Sequence, residues 1–407
     1  MQTLSFIHAW TKYSEINLVV LCLRSHLSGG KNDSDLREFL KGPGPERPNW
    51  CFDFDELLRE AEYHSTAACV AYALLQSGED LLPQEVCAKL QQRLHVAARN
   101  NLKWLAEWQR ILATFQSAGI RVISFKGPVL AMQAYGNLAL REFADLDLLV
   151  MPEDALRARD VLVEEGYQPR ISRADDENSL YLRSGNQQLE FVSAERGTQI
   201  DMHWGALHKM FPFQLPVNTL FQSSRISRIE ENSFLSLSPE HTLLYLCAHG
   251  TKHYWARLHW LCDVACYVKS TQELDWKQCV LLAKETNCEL VVKHALLLAK
   301  SVLELELPQE VKSFCQDSEA QKLADKARAF LFGASAKALH GKQVRYHLAF
   351  AKGWRDGARY LRNRIFVPAE PDWDAIWLPQ LLHPLYYFVR PLRMIFVSLS
   401  RTASRPG

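Results

Sequence analysis

The chain has almost no net charge: 47 lysines and arginines against 46 aspartates and glutamates leave +1 over 407 residues. Without a global positive field nothing draws in a polynucleotide backbone, so nucleic acid is disfavoured as the main partner, while a local basic groove stays open. Long apolar runs are missing too. The longest early one, Leu18 to Leu23, falls far short of the ~20 residues that a membrane-spanning helix needs. The ten cysteines contain no Cys-x-x-Cys pair, and no N-terminal stretch joins a positive segment, an apolar core and a small-residue cleavage site. The thiols therefore read as reduced and the protein as cytosolic. Ser28-Gly29-Gly30-Lys31 lacks the rest of a P-loop, and no Gly-x-Ser-x-Gly elbow or His-Glu-x-x-His helix occurs, which removes kinase-type, hydrolase-elbow and zincin readings. Internal repeats and low-complexity blocks are absent as well.

What is present is a hydrophobic content of 48% over a length sufficient for two or three domains. From Leu4 to about Phe115 apolar residues recur at helical spacing, as in Leu90, Leu94, Ala97, Leu105 and Leu112. Gly42-Pro43-Gly44-Pro45-Glu46-Arg47-Pro48 interrupts them and predicts a surface loop. The pattern then changes to short β-compatible runs at 121–125, 146–150, 167–168, 188–192 and 199–203, with a helix start at Pro152-Glu153 and a stop at Gly166. After Ser238-Pro239-Glu240, a cap followed by a helix-start proline, helical spacing returns. The expected fold is α+β. A helical N-terminal region (1–117) precedes a small mixed-sheet α/β domain (118–236), a helical C-terminal domain (237–365) and a tail (366–407) that its prolines break into short pieces.

The chemistry gathers in the sheet region. Side chains alternate along a strand, so Asp145 and Asp147 in Asp145-Leu146-Asp147-Leu148-Leu149-Val150 project from one face, close enough to grip a hard cation. Magnesium would relieve their repulsion while bridging nucleotide phosphates. Lys126 and Arg141 supply nearby positive charge for a triphosphate or its pyrophosphate leaving group. Gly127, opening a helix, would let a phosphate approach backbone amides. Asp201, interrupting an apolar strand with His203 on its face, is the candidate third carboxylate, to complete a metal site or take a proton. Alternation leaves open whether that strand lies beside the one bearing Asp147.

The stretch from Ile123 to Gly166 carries Phe125-Lys126-Gly127-Pro128, Tyr135-Gly136, Arg141, the Asp145/Asp147 strand and Gly166-Tyr167. It resembles the uncharacterised nucleotidyltransferase family, a bacterial branch of the polymerase-beta-like nucleotidyltransferase superfamily. Ile200-Asp201-Met202-His203-Trp204 is similar to the family's Asp-x-His-Trp strand. His249-Gly250-x-Lys252-His253 and Leu258-His259-Trp260-Leu261-x-Asp263-Val264 resemble its helical C-terminal region, and Arg390-Pro391-Leu392-Arg393 matches near the end. The resemblance implies two divalent metals on Asp145, Asp147 and Asp201. It also implies transfer of a nucleoside monophosphate from a nucleoside triphosphate to an acceptor hydroxyl, with Gly127 on the phosphate-facing helix. Pro128 departs from the usual Ser or Gly there, removing one amide donor and one hydroxyl.

Other groupings compete. His249 and His253 with His259, Cys262 and Cys266 do not have the spacing of a His/Cys zinc motif. His253, Lys252 and Arg257 would face a nucleotide from the C-terminal helices, against the plainer reading that they belong to a packed Trp255, Leu258 and Trp260 surface. The tail from Trp377 to Arg405 has arginines and aromatics but no acid, a composition of a docked terminal helix or of one lying on a membrane surface. The reading is a magnesium-dependent nucleotidyltransferase whose acceptor is a small molecule, a saccharide or peptide intermediate, or a protein. The alternative is a catalytically degenerate, antitoxin-like regulatory module that binds a nucleotide or a protein.

Overall fold

A computed structural model describes residues 14–30, 33–41, 53–170, 187–332, 340–376 and 378–403. The loop expected at Gly42–Pro48 lies outside them. The fold is α+β, with a seven-stranded mixed sheet in the order β3-β4-β5-β2-β1-β7-β6. The strands are β1 (Val122–Ser124), β2 (Leu146–Val150), β3 (Gln168–Pro169), β4 (Gln188–Ser193), β5 (Thr198–His203), β6 (Arg225–Ile229) and β7 (Asn232–Ser236). β2 pairs antiparallel with β1 and parallel with β5.

Sequence reading found the strands that alternate or bury an apolar run, and missed the β6–β7 hairpin. Its turn is Glu230-Glu231, with Glu230 at φ 53°, instead of the Asn-Gly or Asp-Gly that announces a tight hairpin. Edge strand β6 is mostly exposed, so it carries no apolar alternation to read.

N-terminal to the sheet are α1 (Ser14–Ser28), α2 (Asp33–Lys41), α3 (Phe54–Tyr63), α4 (Ala67–Gly78) and α5 (Gln84–Ser117). Within and after the sheet region come α6 (Gly127–Tyr135), α7 (Ala155–Glu164), α8 (Val217–Gln222), α9 (Pro239–Lys252), α10 (Leu258–Ser270), α11 (Trp276–Glu285) and α12 (Glu289–Leu303). The chain goes on through α13 (Gln309–Lys312), α14 (Ser318–Phe332), α15 (His340–Leu348), α16 (Trp354–Phe366), α17 (Glu370–Ala375) and α18 (Tyr386–Ala403). Ser238 caps α9 by accepting from the His241 amide, with Pro239 as its first residue.

The period of two along the strands divides the apolar side chains between two cores. Leu146, Leu148 and Val150 of β2, with Ile200 and Met202 of β5, bury against Trp108, Ile111 and Phe115 of α5 and Leu162 of α7. Ile123 and Leu149 face the other way, into a larger core that joins α1 and α4 to α9, α10, α12 and α14. The N-terminal and C-terminal helices thus share one apolar interior over the sheet face that bears Asp147. The nine cysteines among the described residues are free and buried, and no described helix is long and apolar enough to cross a membrane.

The tail corrects the expectation of short pieces only. After α17 and a single 3-10 stretch at Gln380–Leu385, α18 runs 18 residues straight through Pro391. A proline inside a helix costs ~3 kcal/mol in lost bonding and clash. Here Arg390 and Arg393, on either side of it, both bind the buried Asp372 carboxylate and hold the helix across the break.

Candidate active site

The parallel pairing of β2 and β5 sets Asp147 opposite Asp201 and Leu149 opposite His203. The side chains of Asp147, Asp201 and His203 therefore share one face, and one ligand atom from each lies within 4.8 Å of the others. His203 Nε2 is 3.2 Å from Asp147 Oδ1, and the Lys126 ammonium, arriving from the end of β1, is 2.6 Å from the same oxygen. Asp145, at the mouth of β2, joins them in the wall of a cavity of about 570 Å³.

The acids of this cavity are unevenly paired with its cations. Asp147 is almost fully buried; burial alone would raise its pKa, yet Lys126 and the hydrogen bond from His203 hold it well below the usual carboxylate range. Burial, and then the charge of Asp147, push Asp145 up to about 6. Asp201 is pushed up to about 7 by burial, then by Asp147 and Asp145, although Gln199 donates to it over 3.1 Å. Burial lowers the His203 imidazole despite its bond to Asp147. Of the three carboxylates only that of Asp147 has a lysine within ion-pair distance among the described residues.

Gly127 takes φ 55°, a left-handed conformation that favours glycine, as the chain turns from β1 into α6. It is enclosed, 3.6 Å from the Asp145 carbonyl measured from where a Cβ would sit, and the cavity wall passes through its neighbour Lys126. Arg141 does line the cavity. Its Nε and Nη2 donate to the Asp263 carboxylate at 2.8 and 3.0 Å, while Nη1 is buried and without a partner. Asn101 fixes the Arg141 loop by donating to the carbonyls of Leu138 and Arg141.

The opposite wall comes from α9 and α10. Tyr245, His249 and His253, four residues apart, form a ring column that ends on Trp260, with His253 stacked on the indole at 4.7 Å and 18°. Burial drives His249 and His253 well below their ordinary pKa, so both stand as neutral imidazoles. Lys252, buried and near Lys126, is lowered to about 8. Lys252, His253 and Arg257 line the cavity, while the packing reading also holds for His253, which is stacked on Trp260 beside the buried Trp255, Leu258 and Leu261. Gly250 explains the glycine of their motif: a Cβ there would stand 2.4 Å from the Trp255 ring, which packs fully buried against it.

The histidine and cysteine set considered for zinc is not gathered: Cys262 and Cys266 are packed in the core, and the histidines face the cavity. Sequence reading also missed Glu62 of α3 and Arg93 of α5, which line the cavity from the N-terminal helices. Only the fold brings them near. Tyr245 was findable, one helical turn before His249 on the same face.

A mixed sheet with acids on adjacent strands, roofed by helices over a polar cavity, is an arrangement that can hold a hard cation and an anionic substrate. A model of the uncharacterised nucleotidyltransferase family matches residues 51–304, more than half of the chain, and the chain belongs to that family. The matched span includes Glu62 and Arg93 as well as the acids and the α9–α10 wall; Arg390-Pro391-Leu392-Arg393 lies beyond it. No curated protein matches the chain.

Proposed function

We propose that this cavity performs magnesium-dependent transfer of a nucleoside monophosphate from a nucleoside triphosphate to an acceptor hydroxyl. The observation that carries the reading is the register of β2 against β5, which sets Asp147 opposite Asp201 on the cavity face. The donor set fits hard cations: carboxylate oxygens suit Mg2+, and His203, on the same face and bonded to Asp147, orients that carboxylate. Asp145, Asp147 and Asp201 would hold two Mg2+ ions, which supply charge neutralisation to the triphosphate and its leaving group.

The chain's own groups do the rest. Lys126, Arg141 through its unpartnered Nη1, and Lys252 supply positive charge to the phosphates. Gly127 turns the chain so that Lys126 faces Asp147 and α6 starts beside the acids. The acceptor oxygen bonds to the α-phosphorus as the bond from that phosphorus to the bridging oxygen breaks, and pyrophosphate departs. Asp201, opposite Asp147 on the same face, completes the metal site or takes the hydroxyl proton. Near-zero net charge favours a small molecule, a saccharide or peptide intermediate, or a protein as acceptor.

Calorimetric titration of each nucleoside triphosphate, with and without magnesium, tests this beside Asp147→Asn. Magnesium-dependent binding that falls at least tenfold in the variant, with transfer abolished and the fold kept, is the expected outcome. If no triphosphate binds the parent protein, the degenerate regulatory module replaces the transferase.

A further inference from the structure

Helix α18 is amphipathic the wrong way round for a helix packed on a protein body. Its inward face carries Arg390 and Arg393, which bind Asp372, while Phe388, Leu392, Ile395 and Phe396 stand 58–73% exposed. Those four residues follow the i, i+4, i+7, i+8 spacing of a single stripe. The 3-10 stretch leading into the helix adds Leu381, 93% exposed. Neighbouring α16, whose Arg364 carbonyl accepts from Arg390, exposes Trp354, Leu361 and Ile365, with the cation of Arg355 over the Trp354 ring. A body-facing helix would bury such a stripe and turn its arginines outward.

We propose that the outer face of α18, with α16 beside it, docks on an anionic lipid bilayer. The charge of the region selects that occupant. Beyond Asp374 the sequence holds no acid, and because Arg390 and Arg393 are bound to Asp372, the cations offered to the lipid are the exposed Arg355 and Arg362 of α16. Phenylalanine and leucine on an in-plane helix enter the headgroup–acyl boundary while arginines beside them meet lipid phosphates. A second copy of the chain would bring the same arginines against themselves. No described helix crosses a membrane, so the contact is one of lying on the surface.

The test is co-sedimentation of the full chain with vesicles of phosphatidylcholine alone and of phosphatidylcholine containing phosphatidylglycerol. Its control is the double variant Leu392→Glu, Phe396→Glu, whose sites are exposed enough to leave packing intact. The expected result is pelleting with the anionic vesicles, weakened by salt and reduced at least tenfold in the variant, with unchanged circular dichroism. No pelleting, equal pelleting with neutral vesicles, or full retention by the variant overturns the proposal. So does a dimer of the parent chain that the variant converts to monomer, which would assign the face to self-association.

Discussion

Asp372 and Asp147 are both buried aspartates, at 0% and 3% exposure, but the protein meets their charges differently. Asp372 receives Arg390, Arg393 and the Ala369 amide. Asp263, at the back of the cavity wall, likewise receives two nitrogens of Arg141 and the Tyr135 hydroxyl. In those places the donors match the acid. Around the β2–β5 face Asp147 takes the Lys126 ammonium, whereas Asp145 and Asp201 hold no cation among the described ion pairs and are pushed up in pKa. A buried charge that is fully paired holds structure together, whereas one left under-paired is an invitation to a cation or a substrate.

The contrast predicts opposite signs for nominally similar substitutions. Asp263→Asn leaves the buried Arg141 guanidinium without its counter-ion and should destabilise the protein by about 3–5 kcal/mol, read from urea unfolding. A loss below about 1 kcal/mol would mean that the pair is not the structural unit described here. Asp201→Asn should do the reverse in magnesium-free buffer. Because the folded protein binds the Asp201 proton more tightly than the unfolded chain does, this group's contribution is present at low pH. It is lost as pH rises from about 4, the unfolded value, to about 7 in the folded state. At pH 8 the variant should therefore be more stable by about 1–2 kcal/mol, allowing for partial relaxation of the site. The gain should vanish below pH 4, and thermal melts across that range would show a variant flatter than the parent; equal slopes would break the contrast.

How far the sequence foretold this follows from what each signal encodes. Alternation put Asp201 with His203, because the period of two is local; Asp145 precedes β2 and stands outside the group of Asp147, Asp201 and His203 found among the described residues. Alternation could not say that β5 lies beside β2, since register depends on which strands pair across the 47 residues between them. Arg141 was legible as a cation but its partner was not: Asp263 sits 122 residues later on α10, and only packing of α6 and α10 brings the two together. The arrival of Glu62 and Arg93 from the N-terminal helices has the same cause. The length of α18 was hidden by Pro391, whose local cost is offset by ion pairs to a residue 18 positions away.

The finest test of the contrast is Tyr135→Phe. The Tyr135 hydroxyl donates to Asp263 Oδ1 at 2.9 Å, the same oxygen that accepts from Arg141 Nε. Removing it takes one donor from an acid that keeps its arginine, so the loss should be about 1 kcal/mol, well below that of Asp263→Asn. If the Arg141–Asp263 pair is purely a brace, magnesium-dependent triphosphate affinity should stay within about twofold. If Asp263 instead tunes how much charge Arg141 Nη1 presents to the cavity, the weaker brace should change affinity at least tenfold while stability moves little. Titrating the triphosphate into both proteins at one pH separates these outcomes, because the Tyr135 hydroxyl shares Asp263 Oδ1 with Arg141 Nε and is not part of the cavity lining.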